Sequence, residues 1–303
     1  MNGMEIISLI ESTLPAVKTV ISAIGGAIFT AIFLRRNTAT QEFEKLKAGK
    51  MQEVADDLLS SGKMSFTEYY KASNFLSIAK KADEEYAKML HSDSKATYDF
   101  DWFMRFYEAV GNVSDEEMQL VWAKILAGEV NKPKSFSLGT LDVMRNLDKQ
   151  DAELFKRICK CCIQSSGRLF IPNYEKYMEK CAITYSDILR LDEIGLLNSG
   201  GLISLDLTIL KDQPALLINQ ELVMLIASRD GNEKKCSINQ FPFTRIGIEI
   251  SSLIGENTSD ENFLLFAKEV NQNESIAVTV HKINFITKGE INYNKADLLI
   301  EAK

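Results

Sequence analysis

Histidine, proline and paired cysteine motifs are scarce in this sequence, and each scarcity closes off a class of protein. The two histidines, His91 and His281, stand far apart, which leaves no H-E-x-x-H zinc site and no nearby imidazole for a nucleophile. Five prolines in 303 residues exclude a Pro-rich low-complexity chain. The five cysteines are odd in number, and the group Cys159, Cys161 and Cys162 with Cys181 has a C-x-C-C spacing in place of the C-x2-C knuckle of structural zinc. No metal is therefore expected, and the thiols are read as reduced. No G-x-S-x-G elbow is present, and "SSGKMS" at Ser60 to Ser65 lacks the upstream glycine of a phosphate-binding loop. The sequence nominates no catalytic residue and no cofactor, so a non-enzyme is expected. Excess basic charge is missing too: the net charge is −7, which makes the whole molecule a poor generic binder of nucleic acid.

What is present describes a folded chain, because 46% hydrophobic residues against 25% charged suffice for two or three domains. Its most apolar stretch comes first. From Thr19 to Leu34 no charge interrupts the run between Lys18 and Arg35, a helix of roughly 24 Å at about 1.5 Å per residue. That approaches the hydrocarbon thickness of about 30 Å, and the Lys18 and Arg35 stems can snorkel. Glu5 and Glu11 occupy the place of a signal peptide's basic region, so the segment is expected to persist. Arg35, Arg36, Lys45, Lys47 and Lys50 follow it, which would orient the bulk of the chain to the cytoplasmic side as a single-pass membrane protein. Small residues on the run, Ser22, Gly25, Gly26 and Thr30 among them, suit close helix packing, self-association and a pore lining. The alternative is a buried N-terminal helix.

The remaining chain predicts a mainly α fold with a smaller α+β part: a transmembrane segment over 1–36, a helical bundle over 37–150, a winged-helix-like module over 151–254 and an α+β cap over 255–303. In the bundle, Phe66, Tyr69, Tyr70, Phe75, Leu76, Ile78 and Ala79 form one apolar face, and Trp102, Phe103, Phe106 and Val110 another. Ser114 with Glu117 reads as a capping box. After Asp151 come a helix, a strand "RLFIP", a helix, and a third helix that Thr184 caps and Gly195 ends. Strands are expected at Leu202 to Leu207, Leu216 to Asn219 and Cys236 to Gln240, and two alternating strands in the tail. The third helix carries Asp187, Asp192 and Glu193 against Arg190 alone, which argues against reading duplex DNA.

The run "DEEMQLVWAKILAGEVNKPKSFSLGTLDVMRNL" resembles a bacterial family of unknown function, through W-A-K-I-L-A-G-E-V at Trp122 to Val130 and P-x-S-F-S-x-x-T-L at Pro133 to Leu141. Such proteins are similar to the Abi-alpha class of abortive-infection proteins, and the whole chain resembles the membrane effectors of Hailong anti-phage systems. The resemblance implies a homo-oligomeric effector that disrupts the inner membrane once released from an inhibitory nucleotide or short single-stranded DNA made by a partner nucleotidyltransferase. It assigns no site residues. A membrane-tethered sensor or adaptor without pore activity, and a soluble winged-helix regulator, stand as alternatives. An oligonucleotide needs cations beside stacking aromatics, and one stretch mixes both: Lys156, Arg157, Lys160 and Arg168 with Phe170, Tyr174, Lys176 and Tyr177. A solvated helix face beside core aromatics is the competing reading.

Overall fold

The computed structural model describes residues 56, 59–62, 65–89, 99–200, 203–211, 213–219, 221–255, 258–287 and 290–300. The chain divides into two compact units, Met1–Arg145 and Asn146–Lys303.

The first unit is helical: α1 Phe66–Lys88, α2 Phe100–Val110, α3 Glu116–Asn131 and α4 Leu138–Asn146, whose last residue crosses the boundary. Ser65 opens α1 with a reciprocal cap, accepting from the Glu68 N–H while the Glu68 carboxylate accepts from the Ser65 N–H. At α3 the cap is Asp115, which accepts from Met118 N–H at 2.9 Å, in place of the expected Ser114. Both residue types cap well, and the carboxylate also meets the positive end of the helix dipole. Phe75, Phe103, Phe106 and Trp122 bury completely or nearly so, with Phe75 edge-on to Phe103 at 5.8 Å and Phe106 edge-on to Trp122 at 5.6 Å. Phe66, expected on the buried face, is 72% exposed. It lies in the first turn of α1, and the buried stripe begins only at Ala72.

Glu129 explains the loop that follows α3. Its carboxylate is buried and accepts the backbone N–H groups of Lys134 at 2.6 Å and Phe136 at 3.1 Å, with Ser135 also bonded. One charged side chain thus satisfies three loop donors that would otherwise be orphaned. Trp102 Nε1 donates to the Phe136 carbonyl at 2.8 Å, and the Phe136 ring lies so near Gly128 that a Cβ there would sit 2.7 Å from it. The run Trp122 to Phe136 is therefore a folding device: glycine admits the phenylalanine and glutamate ties the turn.

The second unit starts with α5 Lys149–Cys159, the hairpin strands β1 Ile163–Ser165 and β2 Arg168–Pro172, α6 Glu175–Lys180 and α7 Tyr185–Glu193. It continues through β3 Ser204–Ile209, β4 Ala215–Ile218, β5 Leu222–Ser228, β6 Lys234–Pro242, α8 Arg245–Ile254, α9 Asp260–Val270, β7 Ile276–Thr287 and β8 Glu290–Ile300. One eight-stranded antiparallel sheet, ordered β3-β6-β2-β1-β4-β5-β7-β8, contains every strand among the described residues. Helix α9 lies against β5 and β7, and its Phe263, Phe266 and Val270 are buried, as are Ile226 of β5 and Val278 and Val280 of β7.

Two sequence expectations are corrected here. A mainly α fold with a small winged-helix-like module and a separate α+β tail gives way to a helical unit followed by a unit built on a large sheet. The tail's β7 pairs with β5 along seven positions, Leu222↔Lys282 to Ser228↔Ile276, so tail and module are one layer. The expected transmembrane helix and single-pass inner-membrane location are also withdrawn: among the described residues no helix is long and apolar enough to cross a membrane. Residues 1–36, with Ser22, Gly25, Gly26 and Thr30, lie outside the described residues.

Replacing Glu129 by Ala should cost on the order of 3 kcal/mol, because several buried donors lose their acceptor, and Gly128→Ala about 1–3 kcal/mol by overpacking against Phe136. Chemical denaturation measures both. Burial outweighs the backbone bonds and raises the Glu129 pKa above the ordinary carboxylate value. The folded state therefore binds that proton more tightly than the unfolded chain, and the Glu129 contribution to stability grows as pH falls through the raised value towards about 4.5. Glu129→Gln should abolish this acid-side gain.

Candidate functional site

The residues that combine charge, thiols and a buried hydroxyl meet where α5, β1, α6, α7 and α9 converge. Helix α5 is amphipathic: Asp151, Leu154, Phe155, Ile158 and Cys159 are buried, while Lys156, Arg157 and Lys160 are exposed. Its last turn presents Lys156 and Arg157 to the negative end of the helix dipole, an arrangement that also stabilises the helix.

Two arginines cross-brace α5 with α7. Arg157 donates to the Ala182 carbonyl at 3.0 Å and pairs with Asp187 at 3.3 Å, beside the first turn of α7. Near the last turn of α7, Arg190 binds Asp151 and lies 3.6 Å from Asp148, at the start of α5. Each arginine thus stands near a helix C-terminus and each acid near a helix N-terminus, the favourable sense for both dipoles. Asp192, a further charge on α7, accepts from Ser199 Oγ. Asp187, Arg190 and Asp192 of this third helix are thus engaged within the fold.

Tyr177 is the centre of the site. It is wholly buried on α6; its hydroxyl donates to the Cys161 carbonyl at 2.8 Å and lies 3.0 Å from Thr258 Oγ1. Burial raises its pKa well above the ordinary phenol value, so the group serves as a neutral donor at any physiological pH. Its ring stands edge-on to Phe266 of α9 at 5.8 Å, as does that of Tyr174. Lys176 and Lys180 reach α9 as well, pairing with Glu269 at 3.3 Å and Glu261 at 2.7 Å.

The cysteines gather around the same tyrosine. Cys181 follows α6, and its N–H donates to the Tyr177 carbonyl at 3.0 Å. Its sulfur accepts from Asn262 Nδ2 at 3.5 Å. A hydrogen bond from Cys181, aided by Arg157 and Lys160, lowers the Cys161 pKa, while the same bond raises that of Cys181. Burial pushes the Cys162 thiol up to about 12.

The stretch nominated from sequence is therefore split in two by the fold. Lys156, Arg157, Lys160, Arg168 and Lys176 are exposed, with Arg157 and Lys176 engaged by acids. Phe170 and Tyr177 are core residues and Tyr174 is half-buried against Phe266, so the aromatics pack the interior rather than offer platforms for bases. Arg168 stands just past a tight hairpin turn in which Ser166 and Gly167 both adopt positive φ. Sequence reasoning grouped Cys161 with Cys181 but weighed the group only as a metal site, so the pairing of these two thiols was missed. Among the described residues no cluster of His, Cys, Asp and Glu has metal-binding geometry.

Residues 62–266 match the family described as "Protein of unknown function (DUF2806)". The match covers more than half of the chain, and the protein belongs to this uncharacterised bacterial domain family. No curated protein and no solved structure matches it.

Tyr177→Phe should keep the ring contacts and delete one buried hydrogen-bond donor, leaving the Cys161 carbonyl short of a partner. The expected loss is about 1–2 kcal/mol, read from denaturant unfolding, with little change in the circular dichroism of the folded state.

Proposed function

We propose that the chain is a non-catalytic, ligand-controlled effector of abortive infection, similar to the Abi-alpha class and to the effector of Hailong anti-phage systems. An anionic ligand, a nucleotide or short single-stranded DNA supplied by a partner nucleotidyltransferase, rests on the outer face of α5 and holds the homo-oligomeric effector silent. Loss of the ligand releases it. No membrane-spanning step belongs to this reading.

The observation that supports it is the pair Lys156 and Lys160, one helical turn apart and both exposed at the end of α5. Lysine ammonium groups in that position suit a phosphate as point charges. Since Phe170 and Tyr177 are buried, recognition falls on phosphate rather than on stacked bases, and affinity should decline steeply with salt. With a net charge of −7, affinity for an anion has to come from such a local patch. Duplex DNA is not a partner in this reading, because Arg190 is committed to Asp148 and Asp151.

Lys156→Glu combined with Lys160→Glu leaves the Arg157 brace intact and reverses the exposed charge. Nucleic-acid absorbance and mass spectrometry of the purified full chain should detect a phosphate-bearing ligand in the unmodified protein and none in the double variant, which should also be more toxic when expressed. Equal ligand retention by both proteins would remove α5 as the binding face.

A further inference from the structure

Cys161 and Cys181 are both free thiols in the structure, and the fold holds them together from two directions. Tyr177 anchors each main chain, donating its hydroxyl to the Cys161 carbonyl at 2.8 Å and accepting the Cys181 N–H at 3.0 Å through its own carbonyl. The two thiol side chains lie close enough to interact, and Asn262 Nδ2 lies 3.5 Å from the Cys181 sulfur. Arg157 adds a second tether to the same corner by bonding the Ala182 carbonyl, next to Cys181, at 3.0 Å.

We propose that Cys161 and Cys181 form a modification site at which a small hydroperoxide closes an intramolecular disulfide between the end of α5 and the end of α6. The roles of the two sulfurs follow from their surroundings. Cys161 receives the hydrogen bond and lies near Arg157 and Lys160, which favour its thiolate; Cys181 supplies the hydrogen bond and keeps its proton. The Cys161 thiolate attacks one peroxide oxygen, the O–O bond breaks, and the departing hydroxide takes a proton to become water. Cys161 is then a sulfenic acid. The Cys181 sulfur attacks the Cys161 sulfur, the S–O bond breaks, and the second hydroxide leaves as water with the Cys181 proton. Two thiols and one hydroperoxide give one disulfide and, for hydrogen peroxide, two waters. Exposures of 5% for Cys161 and 7% for Cys181 restrict the reagent to a small one, which is why a hydroperoxide fits the site and a protein oxidant does not.

The neighbouring cysteines provide the contrast. Burial raises the pKa of Cys162 and of Cys236, so neither competes as a thiolate. This inference stands apart from the ligand proposal, since it concerns the inner side of the α5 end and needs no bound anion.

The test treats the full-length protein with hydrogen peroxide under native conditions, alkylates the remaining thiols and digests with trypsin. Cleavage after Lys160, Arg168, Lys180 and Arg190 places Cys161 and Cys181 on separate peptides, and fragment ions distinguish Cys161 from Cys162. The expected product joins the peptide Cys161–Arg168 to Cys181–Arg190 through Cys161, reopens with dithiothreitol, and forms equally in a Cys236→Ser variant. In Cys181→Ser the reaction should halt at a sulfenic acid on Cys161 that dimedone captures. A pair of alkylated, unlinked peptides from the unmodified protein overturns the proposal, as does a link made through Cys159 or Cys162. The unmodified protein carries the decisive result, so a folding defect in either variant leaves the test intact.

Discussion

A hydroxyl group out of reach of water organises the second unit. Tyr177 can be buried only because its hydroxyl finds the Cys161 carbonyl and Thr258; unpaired, a buried hydroxyl costs several times what the hydrogen bond contributes net. Satisfying it fixes three things together: the turn between α5 and β1, the position of α6, and the approach to α9. The ring completes the arrangement against Phe266. In the first unit Glu129 has the equivalent position, a buried acceptor whose donors are the backbone of one turn. Both residues convert a polar group that should resist burial into a specification of geometry.

The α5–α7 brace commits two arginines within the fold. The half-exposed Arg157–Asp187 pair contributes little stability, about 0–1 kcal/mol, whereas Arg190 spares the buried Asp151 carboxylate an unpaired charge. Beside the Arg157–Asp187 pair, Lys156 and Lys160 are exposed at the end of α5. The ligand proposal grows from that exposure. It differs from the purely sequence-based patch in assigning recognition to phosphate charge, with the aromatics serving the core.

How much of this was legible depended on whether a segment showed a period. The amphipathic helices did: α5, α7 and α9 lie where their apolar spacing and the caps Asp148, Thr184 and Ser259 put them. Strand β5 did not. "LVMLIAS" is packed on its flanks by β4 and β7 and buries Leu222, Val223, Met224 and Ile226, so it lacks the alternation that marks a half-buried strand. Missing that strand removed the join between tail and module, which is why the fold read as separate small parts. Strand β1 escaped for a different reason, being only three residues long, although the Ser-Gly turn after it was a usable hairpin sign. At the candidate site the cations could be read from sequence, whereas the burial of Phe170 and Tyr177 could not, because aromatic residues beside lysines look the same on a surface as over a core.

The central functional claim is that the end of α5 holds a phosphate-bearing ligand through charge. Native mass spectrometry of the unmodified full chain, purified at low ionic strength and then taken through rising ammonium acetate, tests it most directly. The account predicts an oligomer carrying extra mass with the fragmentation of a nucleotide or short oligonucleotide, lost progressively as salt rises. Oligomers of bare chain mass at the lowest salt, or a bound mass that salt does not displace, would contradict it.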